Sequence, residues 1–203
     1  MPTTPTPSGE NEEREHQPPT GGELLALVRT RAYTRADQPF LLASGATSYD
    51  YVDMRRAVSR GVDLELAARA VIDHLACRAV EYEAIGGMTM GADPVVHAVA
   101  LLASKAWFSI RKGEKSHGNR RRIEGIPVDG RRVVLFEDTA TTGGSIMEAY
   151  DVVAEAGAIV VHACVLFDRG DTAREVFAAR AVPYSSLLGY RDLGIEPVVP
   201  PRT

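Results

Sequence analysis

The run Val133-Val134-Leu135-Phe136-Glu137-Asp138-Thr139-Ala140-Thr141-Thr142-Gly143-Gly144-Ser145 constrains this chain more than any other stretch. Four apolar residues lead straight into two carboxylates, then threonines, then a Gly-Gly-Ser step. Ile146, Met147, Tyr150, Val153 and Ala154 follow at helical spacing. The pattern predicts a buried strand, a tight turn and a helix. A short, wholly apolar run suits a strand covered on both faces, as in a parallel sheet. The turn then sits at the carboxyl edge of the sheet, where open α/β folds bind ligands. Its glycines let backbone N–H groups approach an anion, its hydroxyls add donors, and the helix N-terminus adds partial positive charge. Two carboxylates beside a phosphate cradle suit sugar hydroxyls, a magnesium-bound sugar or a developing cation. A phosphorylated sugar satisfies both halves, with its anion on the loop and its hydroxyls on Glu137 and Asp138. The competing reading is a helix start decorated with acids, which the helix dipole alone would favour. The block taken as a whole favours the ligand site.

That block resembles the phosphoribosyl pyrophosphate (PRPP) signature of type I phosphoribosyltransferases. The resemblance implies that Glu137 and Asp138 contact the ribose hydroxyls. It gives the 5′-phosphate to the loop Thr141, Thr142, Gly143, Gly144 and Ser145, with Thr139 and Ala140 inside the same PRPP-binding run.

With 203 residues the chain has room for one α/β domain of ordinary size. A net charge of −4 argues against a general nucleic-acid binder. Cys77 and Cys164 sit in apolar surroundings with no Cys-x-x-Cys, which predicts buried thiols in a reducing compartment. No apolar stretch approaches the ~20 residues that span a membrane, and the N-terminus lacks an apolar signal core. The expectation is a soluble cytoplasmic protein.

Residues 1–22 are rich in Pro, Thr, Gly and Glu, with no apolar anchor after Met1, and predict a disordered tail. Residues 23–203 then form a single domain. A first amphipathic helix runs over 23–33 through Leu24, Leu25, Leu27 and Val28. A strand at 40–45 and its partner at 46–53 make a hairpin or hood, so that a small N-terminal hood covers about 23–60. The core covers about 61–195. Its elements are a helix at 61–77, a strand at 82–87 running into a Gly86-Gly87 turn, and a helix opened by Asp93-Pro94, with Asp93 as cap. Met88 and Met90 beside that turn read as packing residues. A strand at 107–110, a strand at 158–167, a helix at 173–181 and a strand at 184–190 complete it, and a proline-rich tail follows. Helices alternating with strands predict an α/β class with a mostly parallel sheet and helices on both faces.

Residues 111–122 contain no apolar side chain and carry Arg111, Lys112, Lys115, Arg120, Arg121 and Arg122 against Glu114. This segment cannot build its own core and reads as a mobile loop. A solvated charge run is one account of it. A nucleic-acid patch is another, but no aromatic is interleaved for stacking. A lid closing on a polyanion is the third, favoured because the flanking strands bring the loop's base to the same sheet edge as the Thr-Gly-Gly turn.

Arg111, Lys112, Lys115, His117 and Gly118, followed by Ile123-Glu124-Gly125, resemble the catalytic loop of the orotate branch of the type I phosphoribosyltransferases. Ser44-Gly45 with Ser48 and Tyr51, and Gly86-Gly87 with Gly91-Ala92-Asp93-Pro94, fit the same branch, so the likeness spans about 40–170. It implies the type I phosphoribosyltransferase fold and transfer of phosphoribosyl from PRPP to orotate, giving orotidine 5′-monophosphate and pyrophosphate in pyrimidine (UMP) biosynthesis. Transfer to another base and a PRPP-sensing regulator are the alternatives; retention of both the phosphate loop and the basic loop counts against each. The resemblance gives catalytic roles to Lys115, His117 and Asp138, with His117 either protonating the leaving group or donating a plain hydrogen bond. It gives PRPP contacts also to Arg111 and Lys112, and orotate contacts to Thr141 and Arg169. Arginine suits the orotate carboxylate because its planar fork matches it bidentately; read alone, Arg169 is a surface ion pair of little worth. Mg2+ is carried mainly by PRPP, with no direct protein ligand. A homodimer is implied, each loop reaching the neighbouring site; about six residues extend roughly 20 Å. The chain departs from the branch where basic residues are common: Ala43, Ala46, Thr47 and Met90 stand there. Arg120 to Arg122 are candidates to replace the lost charge.

Overall fold

A computed structural model describes residues 21–42, 45–113 and 122–199. Lys115, His117, Arg120, Arg121 and most of the expected N-terminal tail lie outside the described residues.

The chain opens with α1 (Gly21–Leu27), which widens into a π-type turn at Val28–Ala32. β1 (Tyr33–Leu41) and β2 (Thr47–Val52) form a two-stranded antiparallel sheet. A short α2 (Met54–Ala57), capped by the Asp53 carboxylate on the Arg56 N–H, leads to α3 (Gly61–Cys77). Then come β3 (Ala84–Met88), α4 (Asp93–Ala103), β4 (Ala106–Ile110) and β5 (Ile123–Gly125). β6 (Arg132–Ala140), α5 (Gly144–Glu155), β7 (Ile159–Asp168), α6 (Thr172–Ala178), β8 (Tyr184–Gly189) and α7 (Tyr190–Leu193) complete the order.

The main sheet has six strands in the order β5-β4-β3-β6-β7-β8, all parallel except the edge strand β5. Alternation along β6 assigns the two faces. Val134 and Phe136 pack with α1, α3 and α4, whereas Val133 and Leu135 pack with α5 and α6. Phe108, Phe136, Phe167 and Phe177 are fully buried, and each would cost about 3–5 kcal/mol to truncate to Ala. Both faces are covered, as the apolar strands require.

Several expectations are corrected. The first helix and the π-type turn bury Leu24, Leu27 and Val28 against the main core, so the hood is only the β1–β2 hairpin and its turn. Helix begins at Gly21, inside the expected tail. The hood strand starts at Tyr33, because Tyr33, Thr34 and Arg35 pair with Val52, Tyr51 and Asp50 of β2. Gly86 and Gly87 lie inside β3, buried, and the turn comes after Met88. Asp93 caps nothing; its carboxylate accepts the Ser109 hydroxyl at 2.7 Å, while Pro94 does occupy the first turn of α4. Met90 is 72% exposed and packs no core. Cys164 is buried, with burial pushing its thiol up to about 12, but Cys77 at the end of α3 is exposed. The C-terminal segment is tied down at Val198, which is buried and donates its N–H to the Arg169 carbonyl at 2.7 Å.

A buried polar bridge joins α3 to the sheet. Ser185 Oγ lies 2.7 Å from His74 Nε2 and 2.7 Å from His162 Nε2. One hydroxyl can donate to one neutral ring and accept from the other. Burial, reinforced by Arg78 and the second imidazole, pushes His74 down to about 3, and burial with Arg78 pushes His162 down to about 4. Folding therefore disfavours protonation. The associated stability is complete above the ordinary histidine value and is lost as pH falls from about 6.5 towards those lowered values. His162→Gln, which cannot titrate, should show a smaller loss of Tm than the parent protein between about pH 7 and 5; equal slopes in calorimetric scans would refute this account.

Candidate active site

The strand order reverses its direction of growth between β3 and β6. From β3 the chain crosses through α4 to β4 on one side; from β6 it crosses through α5 to β7 on the other. Helices on opposite faces leave a crevice at the carboxyl ends of these two strands. The ladder widens that crevice: β3 pairs with β6 only as far as Gly86↔Leu135, whereas β6 continues along β7 to Ala140↔Asp168. Glu137, Asp138 and Thr139 therefore belong to the end of β6, not to the turn, and have no β3 partner beside them.

A cavity of about 670 Å³ occupies this crevice. Its floor is Glu137, Asp138, Thr139, Thr141 and Ser145; Met88 to Gly91 form one side, Lys112 another, and Arg169 closes the end of β7. The hood covers it with Phe40, Leu41, Leu42 and Tyr51, and Asp53 and Arg55 follow from the start of α2.

Burial dominates the acids' electrostatics. It pushes Glu137 up to about 7; the Ser145 hydroxyl and Lys112 pull the other way, and Asp138 and Asp168 push with it. Burial also raises Asp138, opposed by the N–H groups of Thr139 and Asp138 itself and by Arg55. Behind them Asp168 is raised by burial, and the Tyr184 hydroxyl, donating at 2.5 Å, opposes the shift. Among the described residues, the Thr139 hydroxyl and the Arg169 Nε are buried without a hydrogen bond. Such groups are costly to leave unsatisfied and are expected where a ligand completes them.

The turn after β6 is shaped by its glycines. Gly143 has φ +75°, in the left-handed region, and its carbonyl accepts the Met147 N–H at 2.9 Å, starting α5. The Gly144 N–H donates to the Thr142 hydroxyl at 3.3 Å. At Gly91 a Cβ would stand 2.5 Å from Asp138 Oδ1, so this position must stay bare for the carboxylate to face the cavity.

Of the residues singled out by sequence, Lys112, Glu137, Asp138, Thr139, Thr141, Ser145 and Arg169 share the cavity wall. Ala140 is buried, and Thr142, Gly143 and Gly144 turn the chain outside the wall. Arg111 also stands outside it: its guanidinium pairs with Glu124 at 3.1 Å, and its N–H donates to the Arg122 carbonyl at 2.9 Å. Arg122 cannot freely replace the missing charge, since it pairs with Glu148 and donates to the Arg111 carbonyl. Arg169 is no surface ion pair; it is 6% exposed, and burial lowers its pKa. Sequence reading missed Arg55, Asp53 and Thr89. The adjacent arginines Arg55 and Arg56 look alike in sequence, and only the docking of α2 sends one to the cavity.

The phosphoribosyl transferase domain family matches residues 102–182. Over 181 residues the chain is 40% identical to orotate phosphoribosyltransferase of Streptomyces coelicolor, covering 86% of this chain and 97% of that protein. It is also 40% identical to the Mycobacterium avium enzyme of that name, over 85% of this chain and 96% of the other. The crystal structure of Mycobacterium tuberculosis orotate phosphoribosyltransferase in complex with PRPP superposes with a TM-score of 0.71 at 35% identity, covering 87% of this chain and 100% of that one. The likeness includes the strand, acids and turn that build the cavity floor, and on this footing the chain belongs to the orotate phosphoribosyltransferase family.

Proposed function

We propose that this protein transfers the phosphoribosyl group of PRPP to orotate, forming orotidine 5′-monophosphate and pyrophosphate in pyrimidine biosynthesis. The observation that carries this reading is the cavity shared by the acids of β6, Thr141 and Ser145 at the two ends of the turn before α5, and the arginine at the end of β7. Orotate nitrogen bonds to C1′ of the ribose as the bond from C1′ to the pyrophosphate oxygen breaks, and the proton of that nitrogen passes to the departing pyrophosphate or to solvent. Positive charge develops on the ribosyl ring and negative charge on the departing group, so each needs preorganised countercharge in a water-poor site.

Glu137 and Asp138 accept the ribose hydroxyls and lie near the developing cation. The turn from Thr141 to Ser145 receives the 5′-phosphate on its N–H and hydroxyl groups, with Thr139 and Ala140 leading into it. Lys112 stands in the cavity to meet the pyrophosphate, and Lys115 and His117 join it from the loop. Arg169 takes the orotate carboxylate, with Thr141 beside the base. Magnesium prefers phosphate and water oxygens, and the hard oxygen donors of Glu137 and Asp138 suit a site beside it. We assign Mg2+ to the oxygens of PRPP, where it neutralises leaving-group charge.

A homodimer sharing its loops belongs to the same proposal. On the exposed side of α4, Leu101 is 81% exposed and one turn from His97, whose ring packs 4.5 Å from the half-exposed Trp107. That apolar patch borders the strand from which the loop departs and suits a second copy. Among the described residues no helix is long and apolar enough to cross a membrane, and a cytoplasmic location is the proposed setting.

Loss of orotate absorbance with PRPP and magnesium, but no reaction of adenine, hypoxanthine or uracil, is the expected outcome of the direct assay; consumption of another base instead would overturn the reading. Lys115→Ala should fold normally and lose turnover by orders of magnitude. Mixing it with Asp138→Asn should restore activity through heterodimers, and no regain would refute the shared loop. Because burial pushes Glu137 up to about 7 and only its ionised form accepts two hydroxyls well, kcat/KM for PRPP should rise between about pH 6 and 8. Glu137→Gln should lack that rise, and an unchanged profile would exclude Glu137 as its source.

A further inference from the structure

We propose that Asp50, in the hood strand β2, is a positioning residue for orotate: it locks the hood and, through its carbonyl, aims the Arg169 guanidinium. The proposal rests on the reading that Arg169 receives the orotate carboxylate.

Asp50 is a buried carboxylate, 6% exposed, outside the PRPP site. Its Oδ1 accepts the Tyr33 hydroxyl at 2.8 Å and Arg35 Nη1 at 2.8 Å, and Oδ2 lies 3.1 Å from the same Nη1. Tyr33 and Arg35 belong to β1, so one side chain ties the two hood strands together. The backbone carbonyl of Asp50 accepts Arg169 Nη2 at 2.6 Å and also the Ser48 hydroxyl at 3.0 Å. Arg169 is anchored at its own backbone, donating to the Ala140 carbonyl at 2.9 Å and accepting from Val198 at 2.7 Å. The base of this side chain thus belongs to the main sheet, and its head is held by the hood.

A hairpin alone is marginal, and this one is irregular between Arg35 and Phe40. Charge-assisted bonds across it therefore set where its strands lie. Arg35 is 62% exposed on its side chain, so the ion pair contributes little to global stability. Its consequence is positional. A guanidinium has five N–H donors in a rigid plane, and the carbonyl of Asp50 occupies one of them. That bond and the Tyr51 ring 5.9 Å away together restrain the plane, and Nε has no partner among the described residues. The plane of the fork dictates the plane in which a carboxylate, and the flat base attached to it, can be held. A drifting hood would lose that alignment while leaving the acids and the phosphate turn of the main sheet in place.

The test is steady-state kinetics with both substrates varied, on Asp50→Ala, Asp50→Asn, Tyr33→Phe and Arg169→Met, with Tm measured for each. Asp50→Ala should raise orotate KM at least about tenfold, which is 1.4 kcal/mol of binding, with PRPP KM and kcat changed by less than about threefold. Asp50→Asn, which keeps an acceptor for Tyr33, should rescue part of that loss. If Arg169→Met raises orotate KM but neither Asp50 variant does, the positioning role is overturned and the Arg169 reading stands. If Arg169→Met leaves orotate KM unchanged, the Arg169 reading itself fails. Should Asp50→Ala unfold, Tyr33→Phe decides: a selective rise in orotate KM supports the proposal, and equal changes in both KM values overturn it.

Discussion

The site depends on one topological constraint, the reversal of strand order between β3 and β6. Right-handed crossovers that leave neighbouring parallel strands in opposite directions must place their helices on opposite faces. No helix can then cover the carboxyl ends of both strands. The ladder between β3 and β6 stops at Gly86↔Leu135, and β6 runs on alone beside β7. Glu137 and Asp138 stand on that extension. Phe136, fully buried one residue earlier, pins the strand so that the acids cannot retreat.

A crevice that holds two carboxylates in a half-buried wall is under electrostatic tension. Burial raises both, and the neighbouring Lys112 and Arg55 only partly oppose it. A ligand that brings hydroxyl donors and a cationic centre relieves this tension; a bare phosphate does not. The wall is thereby divided along the chain, with carboxylates at the strand end and the side chains of Thr141 and Ser145 a few residues later. The orphaned Thr139 hydroxyl lies between the two halves.

The hood adds a second layer of control. It contributes apolar cover through Phe40, Leu41 and Leu42 and reaches the far end of the cavity through the Asp50 carbonyl on Arg169. The loop after β4 is rooted by a reciprocal backbone and guanidinium clamp between Arg111 and Arg122. Those two arginines hold the root, which leaves Lys112 as the described loop cation on the cavity wall.

Sequence alone determined the strand–acid–turn–helix block, the alternation that gives a parallel sheet, and the acids, threonines, serine, lysine and arginine of the cavity wall. These are local properties: apolar runs, glycine steps and charge spacing are written in neighbouring residues. Element ends were less legible. Pairing with β7 carries β6 through its acids to Ala140, and pairing with β2 pulls Thr34 and Arg35 into β1. Only tertiary structure decided that Arg169 is buried beneath the hood, that Cys77 is exposed, that Asp93 serves Ser109 instead of a helix end, and that Arg55 faces the cavity. Each depends on contacts between residues far apart in the chain, such as Asp50 with Arg169, and no local periodicity encodes which distant partner a polar side chain will meet.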